Sequence, residues 1–322
     1  MTAARPRVSI GLPVYNGERY LEEALQALLA QTFQDFEIII ADNASTDRTG
    51  EICWQYAARD RRIRYYRHAQ NLGAAPNFNR TVELAAGGYF KWACHDDLCA
   101  PEYLDRCVAV LDRDPSVVLC HTLTRIIDDK GAAVKNFKHH LIKPSTGPPP
   151  EASARVPEER FNRMIYEVSC YPVFGLIRLD ALRQTRCIEA YAHGDGVLLA
   201  KLALLGRFHE IPEYLFLNRD HPERSARVAQ PQYYSYAAWF DSKKIGQISL
   251  PYWRMLRGYF QAVLETRLSF KSRLWCHVHL LNWMRWTRKK LWKDLKRAVR
   301  LWILSCREQA APASTAPESA RR

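Results

Sequence analysis

The sequence predicts an α/β protein, a mostly parallel sheet flanked by helices, with a helical C-terminal extension. Three observations lead there. The first 120 residues alternate apolar, β-branched runs with segments whose apolar residues recur at helical spacing. The strand-like runs are nearly continuous in hydrophobicity, as strands covered on both faces require. From Gln232 onward the pattern turns helical and rich in Trp, Tyr and Arg.

The elements follow in order. Val8 to Pro13 is a strand closed by a turn. Tyr20, Leu21, Ala24, Leu25, Leu28 and Leu29 form a helical stripe, and Asn16 stands where an N-cap would. Phe36 to Ala41 is a buried strand, and Ser45-Thr46-Asp47 can cap a helix reaching about Ala58. Ile63 to Tyr66 is a short strand, Pro76 to Leu84 a helix, and Tyr89 to Ala93 a strand. Pro101 opens a helix that runs to Leu111. Val117 to Ile127 is a strand, turned by Asp129-Lys130-Gly131 into Ala133 to Phe137. Lys143 to Pro157 carries five prolines and reads as a loop or lid. Phe174 to Arg178 is a strand followed by a helix, Val197 to Leu205 a helix, and Arg207 to Ile211 and Tyr214 to Asn218 two strands. The organisation expected is a domain over 1–230, with halves at about 1–128 and 129–230. A helical extension over 231–307 and a disordered Ala/Pro/Ser-rich tail over 308–322 complete it.

Composition narrows the class. The 322 residues are 48% hydrophobic and 25% charged, which excludes a disordered or collagen-like chain. No apolar run reaches the roughly 18 residues of a membrane span. Nine cysteines without paired spacing read as reduced thiols, and the start of the chain does not read as a signal peptide, so a cytoplasmic protein is expected. The net charge is +13, but Lys271 to Arg307 holds 11 Lys or Arg and one acid, Asp294, for +10. The rest carries only 13 − 10 = +3.

In open α/β sheets ligands sit beyond the carboxyl ends of the strands. Three polar clusters lie there: Pro13-Val14-Tyr15-Asn16, Asp42 to Asp47, and Cys94-His95-Asp96-Asp97. Asp42 can accept hydrogen bonds from a base or a ribose, or it can simply shape a turn with Ser45. Asp96 and Asp97 suit a hard divalent cation bridging to a diphosphate, or else a solvated cap.

The run V-S-I-G-L-P-V-Y-N-G-E-R-Y-L, then F-E-I-I-I-A-D-N-A-S-T-D, Q-N-L-G and H-D-D-L-C-A-P-E-Y-L, resembles the family 2 glycosyltransferases over about residues 7–225. The resemblance implies a GT-A, Rossmann-like nucleotide-sugar domain. It implies that Pro13, Tyr15 and Asn16 pack on base and ribose, and that Asp42 bonds a uracil or thymine N3–H. Ser45 shapes that loop, and Asn71 and Gly73 form a second nucleotide-side turn. Asp96 would contact a Mn or Mg ion, with Asp97 beside it. Cys94 replaces the first acid of the D-x-D element and reads as a buried small hydrophobe.

On the acceptor side, Asp195 aligns with the general base of inverting members, although an Asp before an apolar helix also makes a good cap. Asn218 to Ser225 resembles a late R-x-H-x-x-S element. There Arg219 would neutralise phosphate, and His221 would join the metal or touch the diphosphate. The implied activity is inverting transfer of a sugar, UDP-linked by preference, to a hydroxyl of a cell-envelope glycan or a lipid-linked acceptor. A non-catalytic nucleotide-sugar-binding or membrane-adaptor protein is the alternative. A nucleotidyltransferase would want a basic Gly-rich loop, which Gly11 to Gly17 lacks, and a processive synthase would want membrane spans and Q-x-x-R-W.

Leu274, Val278, Leu281, Met284, Leu291, Leu295, Ala298 and Trp302 form a stripe among Lys, Arg and Trp residues. Such a helix either lies on an anionic membrane, peripheral to its inner face, or packs its stripe on the domain. Nucleic acid ranks behind both, because no recognition module is visible.

Overall fold

The computed structural model describes residues 5–137, 156–166, 170–224, 239–244 and 250–310. Most of the proline-rich stretch and all but three residues of the C-terminal tail lie outside them. Strands β1 (Val8–Val14) and β2 (Phe36–Asp42) are buried at every position, as their unbroken hydrophobicity demands. β1 pairs in parallel with β2 and β4 (Tyr89–Trp92), and β2 pairs in parallel with β3 (Ile63–Arg67). Pro13 is tolerated because β1 pairs with β4 only as far as Gly11 opposite Trp92.

The remaining strands are β5 (Leu98–Cys99), β6 (Val117–Ile127), β7 (Ala133–Phe137), β8 (Leu176–Arg178) and β9 (Arg207–Arg219). The sheet order is β3-β2-β1-β4-β8-β6-β9-β5, with β7 paired to β6. β8 runs antiparallel to both β4 and β6, and β5 runs antiparallel to β9, so the first half is parallel and the second mixed. The two strands expected between Arg207 and Asn218 are one. Its pairing with β6 shifts after Ile211, where Pro212 has no N–H to give.

Helices α1 (Leu21–Leu29), α2 (Thr49–Arg59) and α4 (Tyr103–Arg113) cover one face. Helices α3 (Ala74–Leu84), α6 (Leu179–Leu182) and α7 (Gly194–Leu205) cover the other. The contact of α3 with β1 is close: a Cβ on Gly11 would lie 2.3 Å from Thr81 Oγ1. Helix α5 (Pro157–Ile165) was not anticipated; Pro157 opens it rather than closing a loop.

Helix α7 is apolar all round because it is covered twice. Leu198, Leu199 and Leu202 face the sheet. Val197, Ala200 and Leu204 join a third core with α5, α8 (Pro251–Glu265) and α9 (Phe270–Ala310). Of the two readings of the α9 stripe, membrane surface or domain packing, the packing one is not met by the predicted residues, because α9 packs through a different face. The buried face is Ser272, Cys276, Leu280, Trp283, Thr287, Leu291 and Asp294. Among the described residues of the expected stripe only Leu291 is buried, while Leu274, Leu281 and Leu295 are exposed; the Trp302 side chain lies outside the described residues. Among the described residues no helix is long and apolar enough to cross a membrane.

Candidate functional site

The loops after β1 and β2 are laced together. Asn16 N–H donates to Ser45 Oγ at 3.0 Å, and Asn16 Oδ1 accepts from Thr46 N–H at 2.8 Å. Asn16 is therefore not the cap of α1, whose cap position is Tyr20. Its φ of 48° is a left-handed conformation that Asn tolerates and the Thr46 bond holds. Gly17 N–H donates to Thr49 Oγ1 at 2.8 Å and Glu18 N–H to Asp47 Oδ2 at 3.1 Å. Burial opposes ionisation of Asp47, yet bonds from Thr49 and the Glu18 amide hold its pKa below the usual value. Tyr15 is half exposed at the mouth of this clasp, and Pro13 is buried beneath it.

Asp42 is fully buried. Its Oδ1 accepts from Ser45 N–H, and its Oδ2 accepts from the Tyr65 hydroxyl and the Arg67 guanidinium, each at 2.8 Å. Arg67 also donates to the Ser45 carbonyl at 2.7 Å. Beside it, Asn43 holds the turn at 71–73. Its Nδ2 donates to Asn71 Oδ1 at 2.9 Å, and its Oδ1 accepts from Leu72 N–H at 2.9 Å. Gly73, at φ 90°, caps α3; a Cβ there would lie 2.6 Å from the Asp241 backbone.

The acidic loop after β4 presses on the first clasp: a Cβ on Gly17 would lie 2.6 Å from the His95 ring. Asp97 is buried and accepts from Asn218 Nδ2 and Arg219 N–H, each at 2.9 Å. Asp96 Oδ2 lies 3.0 Å from His221 Nε2. The two carboxyls are driven apart. Burial and the Asp96 charge raise Asp97 to about 7. For Asp96 burial is outweighed by the His221 bond and nearby His95, which hold its pKa low. Cys94 is pushed well up by burial and the two carboxylates, so its thiol stays protonated; it is partly buried and outside the hydrophobic cores, not the buried small hydrophobe expected.

Arg219 is a correction. It is 1% exposed, and its guanidinium donates to Glu23 at 2.6 Å, to the Asp96 carbonyl at 2.9 Å, and to the Asp128 and Asp129 carbonyls at 3.3 Å. It ties α1, the acidic loop and the β6–β7 turn together, so most of its donors are spent on the protein and not on the phosphate role expected of it. His221 is likewise engaged with Asp96 through Nε2, so it orients that carboxylate; its buried Nδ1 has no hydrogen-bond partner among the described residues.

Ligand atoms of Cys94, Asp96 and Asp97 lie within 4.8 Å of one another. A protonated thiol suits a hard cation poorly, but carboxylate oxygens suit it well. The set therefore fits Mn or Mg through oxygen, principally Asp96, whose carboxylate is held in its charged form.

Asp195 stands in the first turn of α7, whose cap position is His193 at φ 68°. Asp195 does not cap the helix across a turn; its Oδ1 accepts from the adjacent Gly196 N–H at 2.9 Å. Residues 170–174 join this helix to the acidic pair. The Tyr171 hydroxyl donates to Asn218 Oδ1 at 3.1 Å, beside Asp97, while Cys170 Sγ lies 3.9 Å from where a Cβ on Gly196 would be.

Several members of the site escaped the sequence reading. Arg67 had a legible signal, because in parallel pairing it falls directly opposite Asp42. Tyr171 had none, and Asn218 lay in the late element without an assigned role, since both roles come from long-range packing. Arg224 is a partly buried cation: burial lowers its pKa, but the Tyr171 bond and the charges of Asp97 and Asp96 raise it further. It faces the acidic pair where Arg219 was expected.

Comparison with known proteins agrees with this geometry. The sequence pattern of glycosyl transferase family 2 matches residues 9–185. An uncharacterized glycosyltransferase of Rickettsia typhi is 29% identical over 212 residues, 65% of this chain and 55% of that protein. The putative glycosyltransferase EpsE of Bacillus subtilis is 34% identical over 127 residues, 39% of this chain and 46% of its own. The chain spans about half or less of the length of the curated relatives it matches. S. aureus TarS 1–349 in complex with UDP-GlcNAc superposes with a TM-score of 0.62 at 16% identity, covering 92% of this chain and 81% of that one. The mannosyltransferase PcManGT from Pyrobaculum calidifontis, in complex with GDP-Man and Mn2+, gives 0.53 at 18% identity, covering 96% and 81%. The fold is thus that of the GT-A glycosyltransferases, and with more than half its length matched by the family pattern the chain belongs to glycosyl transferase family 2.

Proposed function

We propose that this chain transfers a sugar with inversion from a nucleoside diphosphate donor, UDP-linked, to a hydroxyl of a cell-envelope glycan or lipid-linked acceptor. The observation that carries this reading is the acidic pair. A low-pKa Asp96 and a raised Asp97 sit at the strand ends, packed on the β1 clasp through His95 and braced by Arg219. The donor structures of TarS and PcManGT support the donor class.

Tyr15, Asn16 and Ser45 line the base and ribose side, with Asp42 as the acceptor for a base N–H. Asp42 meets the base only if Arg67 or Tyr65 yields one of its oxygens. Asn71 and Gly73 shape the neighbouring turn. Asp96, aided by Asp97 and oriented by His221, would hold a divalent cation, which when bound neutralises charge on a departing diphosphate. Arg224 supplies a further positive charge on that side. Asp195 accepts the acceptor's hydroxyl proton as its oxygen bonds to the anomeric carbon. The bond from that carbon to the diphosphate oxygen breaks, and the nucleoside diphosphate leaves. A binding protein without turnover is the second reading, favoured only by the protonated Cys94 at the usual acid's position.

Release of nucleoside diphosphate from a panel of nucleotide sugars tests this. The wild type should release it slowly even without acceptor, and Asp195→Asn should lower kcat by about 10²–10⁴ while leaving donor affinity unchanged. Donor binding with no release from any sugar would favour the binder. Wild-type turnover with lower thermal stability in Asp195→Asn would make Asp195 structural.

A further inference from the structure

Part of the stripe that sequence periodicity picks out on α9 lies on an outer face of the helix, together with apolar residues outside that stripe, and this leaves a surface to account for. Leu274, Leu281, Trp292, Leu295, Val299 and Ile303 are all exposed, Leu281 and Trp292 by 57% and 58%. The opposite face is spent on the core through Cys276, Leu280 and Trp283. At 100° per residue, Lys289, Lys293, Lys296 and Arg300 project about a quarter-turn from the outer stripe. Arg285 and Arg288 lie within it.

Charge is the deciding observation. The segment Lys271 to Arg307 has 11 cations and one acid. That acid, Asp294, is turned inward, where its Oδ2 accepts from Tyr252 N–H at 2.8 Å. The outward surface therefore carries no negative charge between 270 and 307. Packing on a domain whose remaining charge is +3 gives no reason for this concentration.

We propose that the outer face of α9 docks in plane on an anionic lipid bilayer. The apolar stripe enters the headgroup–acyl boundary, and the flanking cations meet the lipid phosphates. A straight helix of 41 residues is about 60 Å long, which offers one continuous line of contact. Exposed Trp and Leu beside Lys and Arg suit that interface. A nucleic acid would use the cations but leave the aliphatic stripe in water, so the bilayer uses more of the surface.

Flotation of the full-length protein with vesicles tests the proposal. Vesicles of pure phosphatidylcholine are compared with vesicles containing about one-third phosphatidylglycerol, at 0.1 M and 0.5 M salt. Binding should be confined to the anionic vesicles and fall sharply at high salt, because surface attraction is screened over about 10 Å at 0.1 M. Lys289→Glu with Lys293→Glu and Lys296→Glu should weaken it by at least about fifty-fold. Leu281→Ser with Trp292→Ser should also release the protein. Neither set touches the buried face, so UDP affinity and unfolding temperature should hold for both. Failure of the wild type to float on anionic vesicles overturns the proposal. So does equal binding to neutral ones, or a wild-type dimer that Leu281→Ser with Trp292→Ser makes monomeric without any vesicle binding.

Discussion

Two arginines five residues apart divide the work at the acidic pair, and the sequence does not reveal how. Arg219 lies in the expected motif, but its partner Glu23 is 196 residues away, and its other partners are backbone carbonyls of a turn. Nothing in local spacing could expose that closure. Removing it takes this donor from three backbone carbonyls and leaves half-exposed Glu23 without its partner, so Arg219→Ala should cost about 1–3 kcal/mol in urea unfolding. Arg224 is less enclosed: it bonds Tyr171, pairs with Asp220 at 4.0 Å and feels the charges of Asp97 and Asp96, with fewer ties between elements than Arg219. Arg224→Ala should raise the donor KM several-fold and leave the urea midpoint nearly unchanged. An unfolding midpoint that falls equally in both variants would contradict this division. Asp42, which ends β2, and Asp96 and Asp97, in the loop after β4, were legible because chain direction alone places them at the sheet's open edge.

At the scale of elements, uninterrupted apolar runs marked β1 and β2, and helical spacing marked α1 and α4. The failures have physical causes. Two-residue β5 is too short to show a period. In α9 both faces carry apolar residues, so periodicity found a stripe without telling which side the domain takes. The turn at 71–73 shows how one residue can serve an element. Gly73 combines a φ of 90° with the close approach of Asp241. Gly73→Ala meets both obstacles and should lose about 1–3 kcal/mol of stability. Because Asn43 joins this turn to the Asp42 loop, donor affinity should fall with it. Unchanged stability in denaturant titration would show that the 239–241 segment yields freely.

Over the whole molecule, one sheet gathers loops distant in sequence into a single edge, and a second helical layer packs α7, which carries Asp195, against it. The clasp of residues 15–17 with 45–49, the acidic loop and the end of β9 are joined by His95, Arg219 and His221. Tyr171 extends that chain of contacts toward α7, where Asp195 stands. In the proposed function donor charge and acceptor proton fall to different layers, so a change at Asp195 should leave nucleotide binding alone, while a change at Asp96 should not. Titration of UDP into the wild type and into Asp96→Asn, each with Mn2+ and with EDTA, is the most direct test. Metal-strengthened binding in the wild type, reduced in Asp96→Asn to the level seen in EDTA, is the expected result. Absence of UDP binding under every condition, or binding that neither Mn2+ nor Asp96→Asn alters, would contradict the assignment of this edge as a metal-assisted nucleotide-sugar site.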